Sequence, residues 1–158
     1  MYFIKILTMK RIALIMTAVA ALTACTDGVD SQQEKAGRAA TAFSEAYFNY
    51  DVKRALELTT PESAKWISFV ASNITQEDVD LLNTRDGGVV VDLDECQMVN
   101  DTTYEAVLTV DNYMAADSIG RPGEFRNGGE FRLKVVLRDN KWQVKMEGLP
   151  QNEKRSRD

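Results

Sequence analysis

The chain contains no histidine among its 158 residues. This absence excludes Ser-His and Cys-His catalytic pairs and every metal site that needs an imidazole ligand. The glycines form no phosphate-binding motif, and no basic run precedes the C-terminal tail. We therefore expect no cofactor and no nucleic-acid partner.

The chain also lacks a long hydrophobic run. Its longest apolar stretch, from Ile12 to Leu22, follows Lys10 and Arg11, whereas a helix that spans a bilayer needs about 20 such residues. A positive segment, a short apolar core and small residues before a cut site are typical of a secretory signal. Met9 is an alternative start to Met1, and an uncleaved anchor is the alternative to cleavage.

The apolar stretch ends in Leu22-Thr23-Ala24-Cys25, which resembles the lipobox of bacterial lipoproteins. The resemblance implies cleavage after Ala24 and a lipid on Cys25, where each buried methylene adds about 0.8 kcal/mol of membrane affinity. We predict a signal peptide over residues 1–24, then the lipidated Cys25 and a polar tether over residues 25–31. The membrane is then a partner, and the location is the bacterial cell envelope, periplasmic or surface-facing.

Removal of the signal would change both charge and cysteine content. Residues 1–24 carry three basic residues and no acid, so the net charge would move from −5 to −8. An acidic domain of this kind is held away from an anionic membrane surface. Cys96 would be the one cysteine left without a lipid, which excludes an internal disulfide. We predict that Cys96 is a small buried residue, with an intermolecular bridge as the alternative.

Helical patterns fill the first part of the predicted domain. Ser31 to Glu34 forms a capping box that opens a helix with an apolar stripe at three- and four-residue steps. Asp51 is predicted to cap a short second helix, and Thr60-Pro61 to start a third with proline at its first position. Thr75 with Asp78 repeats the capping pattern for a fourth.

Alternating patterns follow Asp86-Gly87-Gly88 and predict four strands. The apolar parity slips near Asp94-Glu95, which predicts a β-bulge. Strand turns are predicted at Asn100-Asp101 and Asp139-Asn140. The connection between Met114 and Gly129 is predicted to be irregular, either a mobile hairpin tip or a lid over a pocket.

This order predicts an α+β domain, with N-terminal helices packed on a curved four-stranded antiparallel sheet. We place it over residues 32–149, before a flexible tail over residues 150–158. The run Asp51–Glu62 and the closing Leu137–Val144, with its Asp-Asn-Lys-Trp-x-Val pattern, resemble the nuclear transport factor 2-like (cystatin-like) superfamily, in particular its uncharacterised bacterial lipoproteins. The resemblance implies a cone-shaped domain whose mouth often holds a ligand or active site, and frequent dimerisation through the sheet.

The candidates for groups near the cone mouth are Tyr47, Tyr50, Trp66, Tyr104 and Tyr113. Enzymes of the superfamily need an Asp or a His-Asp pair as general base, so here only a lone carboxylate with a Tyr oxyanion donor is available. We predict no catalytic residue.

The carboxylates available for such a role are Asp92, Asp94 and Asp111, and each is expected to be a solvated strand residue. Asp92-x-Asp94-Glu95 lacks the glycine and ligand spacing of an EF-hand, so we predict no metal site. Phe69 and Trp142 are further aromatic residues that could line a cleft with Trp66.

Three functions remain open because this fold hosts enzymes, carriers and partner-binding modules alike. The first is a lipid-anchored module that binds a small apolar ligand or a partner protein without catalysis. The second is a small isomerase- or cyclase-like enzyme that uses one buried Asp. The third is a structural module that forms homodimers through the outer face of the sheet, where Val107 and Val136 are expected to be exposed.

Overall fold

The structure, a computed structural model, describes residues 27–115 and 123–154, with the side chains of residues 27–30 excepted. The predicted cleavage and lipidation residues, Leu22 to Cys25, lie outside these ranges. The described residues from Gln33 onward form one compact unit. Within the described residues, no helix combines the length and apolar character needed to cross a membrane.

The helices precede the strands, as predicted. The helical segments are α1 (Asp27–Phe48), α2 (Val52–Glu57), a 3-10 helix (Pro61–Ser63), α3 (Ala64–Asn73) and α4 (Gln76–Asn83). The strands are β1 (Val90–Asn100), β2 (Thr103–Asp111), β3 (Tyr113–Ala115), β4 (Glu124–Arg126), β5 (Gly129–Arg138) and β6 (Lys141–Lys145).

Local signals set two of the helix starts as predicted. The Asp51 carboxylate accepts a hydrogen bond from the Arg54 amide at 3.1 Å and caps α2. Thr75 and Asp78 form a complete capping box on α4. The start of α1 differs, because the helix already begins at Asp27 and Ser31 lies inside it. The tether predicted over residues 25–31 is thus helical from Asp27 onward, since serine is tolerated within a helix and does not end one.

The main sheet has four antiparallel strands in the order β1-β2-β5-β6, so the predicted α+β class is confirmed. The register of β1 on β2 shifts between Leu93 and Glu95, which confirms the predicted bulge. The tight turn at Asp139-Asn140 has φ values of 48° and 62°, as a two-residue hairpin of the I′ type requires.

The stretch predicted to be an irregular connection contains a second, two-stranded sheet, formed by β3 and β4. Residues 116–122, within that stretch, lie outside the described ranges.

The core lies between α1 and the inner face of the sheet. Small residues on α1 let the helix approach the strands closely, and alternate residues of β2 and β5 face it. The buried residues of this cluster are Ala36, Ala40, Phe43, Ala46, Ala55, Ile67, Cys96, Tyr104, Ala106, Leu108, Leu133, Val135, Val144 and Met146. Cys96 is 8% exposed and lies within this core.

The segment after β6 contacts the sheet, where the sequence predicts a flexible tail. Asn152 forms a β-bridge with Phe131, and its side-chain oxygen accepts from the Glu130 amide at 3.2 Å. The Glu153 amide donates to the Glu130 carbonyl at 2.9 Å. Asn152 holds this segment against the sheet because its side-chain amide is both a hydrogen-bond donor and an acceptor. A pattern of apolar residues does not indicate such contacts.

Candidate functional site

The structure separates the five predicted mouth residues into three groups. Tyr104 and Tyr113 are only 2% and 4% exposed, so both are packing residues. The Tyr104 ring meets Trp142 edge-on at 5.2 Å, and the Tyr113 hydroxyl accepts a hydrogen bond from the Asn152 side chain at 3.1 Å. Neither side chain is free to contact a ligand.

Trp66 lies on α3 and is half-buried against the main core. The Lys65 ammonium lies 5.2 Å from its ring centroid, within the range of a cation–π contact. Phe69, one turn further along α3, is 44% exposed.

Tyr47 and Tyr50 lie at the C-terminal end of α1. The Asp51 amide donates to the Ala46 carbonyl at 2.9 Å and the Tyr50 amide to the Tyr47 carbonyl at 3.1 Å, which is the Schellman pattern of helix ends. Tyr50 occupies the left-handed position of that motif with φ 61°. The helix end thus fixes where both phenols lie.

Both phenols are partly withdrawn from solvent. Burial raises the pKa of Tyr47 well above its ordinary value, and the nearby Tyr50 raises it further. Burial also raises the pKa of Tyr50, with Asp78 raising it and Arg85 lowering it. In the described part of the chain, neither hydroxyl has a hydrogen-bond partner.

Arg85 follows α4 and reaches back to the same helix end. Its Nη1 donates to the Phe48 carbonyl at 3.3 Å and to the Asn112 carbonyl at 3.4 Å, and its Nη2 donates to Oδ1 of Asn49. The same Asn49 oxygen accepts from the Val89 amide at 3.1 Å. Arg85 thus joins three chain segments through neutral acceptors alone.

The Arg85 guanidinium is partly desolvated. Burial lowers its pKa, while the neighbouring Tyr50 raises it. The Phe125 ring of β4 lies over it, with a distance of 6.0 Å between Cζ and the ring centroid. We refer to Tyr47, Asn49, Tyr50, Arg85 and Phe125 as the Arg85 cluster.

Asp78 borders this cluster and is 6% exposed. Its Oδ2 accepts from the Thr75 amide at 2.9 Å and hydroxyl at 2.8 Å, and its Oδ1 accepts from the Gly123 amide at 3.1 Å. Burial alone would raise the pKa of Asp78, but these hydrogen bonds together hold it below the ordinary value. Asp78 is therefore an ionised structural group that joins α4 to the segment before β4.

The other carboxylates considered for chemistry lie apart from one another. Asp92 is exposed, Asp94 accepts from the Thr109 hydroxyl at 2.7 Å, and Asp111 accepts from the Gly128 amide. Among the residues that the structure describes, no group of three or more acidic or cysteine side chains could hold a metal ion.

The sequence patterns name Tyr47 and Tyr50 as candidates but do not indicate Asn49, Arg85 or Phe125, which the structure places near them. The partners of Arg85 are 27 to 37 residues away along the chain, and no local spacing links residues so distant. The one available signal was the Asn49-Tyr50-Asp51 run, whose turn-forming residues follow an apolar helix.

No protein-family model matches the sequence, and no curated protein matches it. In structure, the chain is similar to an NTF-2 like protein of unknown function from Shewanella oneidensis MR-1, with a TM-score of 0.43 and 13% sequence identity. The similarity covers 68% of this chain and 88% of the other.

Proposed function

We propose that this chain is a lipid-anchored protein of the bacterial cell envelope whose α+β domain binds a small ligand or a protein partner without catalysis. The lipid anchor and the envelope location are supported by the lipobox-like Leu22-Thr23-Ala24-Cys25 after a short apolar stretch. The binding role is supported by the Arg85 cluster.

The single observation that carries the binding role is the state of the polar groups in that cluster. Arg85 Nε is buried without a hydrogen-bond partner in the described residues, its guanidinium contacts neutral acceptors only, and the neighbouring Tyr47 and Tyr50 are half-buried phenols without a hydrogen-bond partner there. Desolvated polar groups without partners cost free energy. A ligand that supplies the missing partners recovers that free energy.

The enzyme alternative requires an Asp with a raised pKa beside a Tyr. Asp78 is the carboxylate that influences Tyr50, and its pKa is lowered by hydrogen bonds from Thr75 and Gly123. A carboxylate whose lone pairs are already engaged is a weak general base at neutral pH. This favours binding over proton abstraction.

The test is to purify the native, membrane-extracted protein and identify what it retains. We expect native mass spectrometry to detect a small molecule or a partner protein on the wild type, and much less of it on Tyr47→Phe/Tyr50→Phe. Tyr104→Phe is the matched control because Tyr104 is buried in the core. Equal retention by all three proteins, or none by the wild type, would contradict the proposal.

A second candidate, the homodimer, is favoured by the charges on the outer face of the sheet. Alternation with the buried residues places one set of side chains on this face. On β1 and β2 its charged residues are all acidic, whereas on β5 and β6 all but Glu130 are basic. The acidic set is Asp92, Glu95, Glu105 and Asp111, and the basic set is Arg132, Lys134, Arg138, Lys141 and Lys145.

A twofold axis parallel to the strands would place the acidic strands of one copy over the basic strands of the other. Val107 and Val136, which are half-buried rather than exposed as predicted, lie near the middle of this face. Lys141→Glu/Lys145→Glu should then shift sedimentation toward the monomer, and added Asp92→Lys/Glu95→Lys should restore the dimer. A wild type that sediments as a monomer at every concentration would exclude this candidate.

A further inference from the structure

The Arg85 guanidinium has N–H groups that donate no hydrogen bond within the described residues. A guanidinium has five N–H groups, and the Arg85 contacts to Phe48, Asn112 and Asn49 engage three of them. Nε and one hydrogen on Nη2 remain. In the described residues, Arg85 Nε is the one buried side-chain nitrogen or oxygen without a partner. The Nε/Nη2 edge is the one that binds carboxylates and phosphates with two parallel hydrogen bonds.

The groups around this edge are donors as well. Asn49 Oδ1 accepts from Arg85 and Val89, and no acceptor in the described chain receives the Asn49 Nδ2 group. The hydroxyls of Tyr47 and Tyr50 also lack acceptors there. A cluster with surplus donors and a positive charge matches a ligand rich in acceptors and negative charge.

We propose that the Arg85 cluster binds the oxyanion group of a small ligand, a carboxylate or a phosphate ester, through the Nε/Nη2 edge of Arg85 and the hydroxyl of Tyr50. This inference rests on the binding function proposed above and specifies its ligand class. The N–H bonds of a guanidinium lie in its plane, so an oxyanion bound by Nε and Nη2 lies in that plane.

The negative charge of Asp78 should weaken anion binding at this cluster, which provides a second test. Its charge is close enough to raise the pKa of Tyr50, so it also repels an anion at that hydroxyl. Hydrogen bonds from Thr75 and Gly123 disperse part of this charge. Removing the charge should therefore strengthen anion binding, whereas removing the Arg85 charge should weaken it.

The experiment titrates the purified mature protein at pH 7 with benzoate and with inorganic phosphate, and uses benzamide as the uncharged counterpart of benzoate. We expect one of the two anions to bind at least tenfold more tightly than benzamide, and which one binds identifies the oxyanion. Arg85→Gln should weaken that binding about tenfold or more. Asp78→Asn should tighten it severalfold, provided that circular dichroism shows a retained fold.

Arg38→Gln is the matched control. Arg38 is an exposed residue of α1, paired with Glu34, and lies about 16 Å along that helix from Asn49, so its loss should leave anion binding unchanged. Equal binding of benzoate and benzamide, or equal anion binding by wild type and Arg85→Gln, would overturn the inference. If the native protein retains a neutral molecule but neither anion binds, this inference fails while the binding function stands.

Discussion

Tyr50 occupies a position where helices most often end on glycine. Its φ of 61° places the Cβ atom close to the following carbonyl oxygen, at a cost of about 1–2 kcal/mol. The Schellman hydrogen bonds from Tyr50 and Asp51 hold this conformation. Strained residues of this kind concentrate at functional sites, and Tyr50 is near enough to Arg85 for each charge to shift the pKa of the other group.

At the same scale, Asp78 should make stability depend on pH. Its folded pKa is lowered, so its contribution is complete above the ordinary aspartate pKa of about 4 and is lost as the pH falls through the folded value. Asp78→Asn should lower the free energy of unfolding at pH 7 by about 1–3 kcal/mol, measured by urea denaturation. The difference in free energy of unfolding between Asp78→Asn and wild type should disappear at pH values below the folded pKa of Asp78.

Asp80→Asn is the control for this change, because Asp80 lies on the same helix, is exposed and accepts from Gln76 alone. A gap between Asp78→Asn and wild type that is constant from pH 7 down to pH 2 would contradict the assigned role of the Asp78 charge.

At the scale of the elements, the same four-residue sequence occurs at the start of β4 and at the start of β5, but its surroundings differ. Gly-Glu-Phe-Arg occurs at 123–126 and again at 129–132. In β4 its phenylalanine, Phe125, lies over Arg85, whereas in β5 Phe131 is 3% exposed and packs against Phe48 and Tyr113. The same local sequence thus serves the candidate site in one strand and the core in the other.

The start of β5 leaves no room for a side chain. A Cβ at Gly129 would lie 2.6 Å from Cε1 of Tyr113 and 2.8 Å from Cε2 of Phe131. Gly129→Ala should therefore destabilise the fold by about 1–3 kcal/mol through overpacking, as measured by chemical denaturation. Gly148→Ala should have little effect, because a Cβ there meets nothing within 4 Å. Equal midpoints for the two variants would contradict this packing.

At the scale of the whole molecule, the two edges of the main sheet differ. The segment before α3 covers β6, with the Val144 amide donating to the Leu58 carbonyl at 2.9 Å and the Thr60 amide to the Val144 carbonyl at 3.0 Å. At the other edge, Val90 and Val99 of β1 are 55% and 61% exposed. In the described residues β1 pairs with β2 alone. The acidic side chains of β1 disfavour pairing of this exposed edge with a strand of another molecule.

Delivery to the membrane is also a property of the whole chain and is tested at Cys25. Because the proposed lipid is attached to the Cys25 thiol, Cys25→Ala should abolish labelling by radioactive palmitate and leave the precursor uncleaved. The mature mass of the wild type should exceed that of residues 25–158 by the attached acyl groups. Unchanged labelling of Cys25→Ala, or a wild type that keeps an unmodified leader, would refute the lipoprotein proposal.

Much of the fold was predictable from short-range patterns. The alternation of Tyr104, Ala106, Leu108 and Val110 identified the buried face of β2, and all four residues are at most 2% exposed. The capping box at Thr75 and the slip of parity before Glu95 also appear as predicted. Each of these features depends on residues a few positions apart, where backbone geometry and side-chain direction are directly linked.

The candidate site was less predictable because its contacts join residues that are far apart in the sequence. Residue type alone predicts Tyr104 and Tyr113 at the mouth, but packing against Trp142, Phe48 and Phe131 buries them. The lack of apolar side chains predicts a tail at residues 152–154, yet these residues hydrogen-bond to the sheet.

The amino-acid sequence alone determined that histidine chemistry is absent, that helices precede an antiparallel sheet, and which faces of β2 and β5 are buried. These follow from composition and from periods of two and about four residues, which need no knowledge of the fold. Only the tertiary structure brought Arg85 to Asn49 and left the Arg85 Nε atom without a partner. Whether a buried donor finds an acceptor depends on which side chains the fold brings together. These side chains are far apart along the chain, so the sequence does not indicate that they meet.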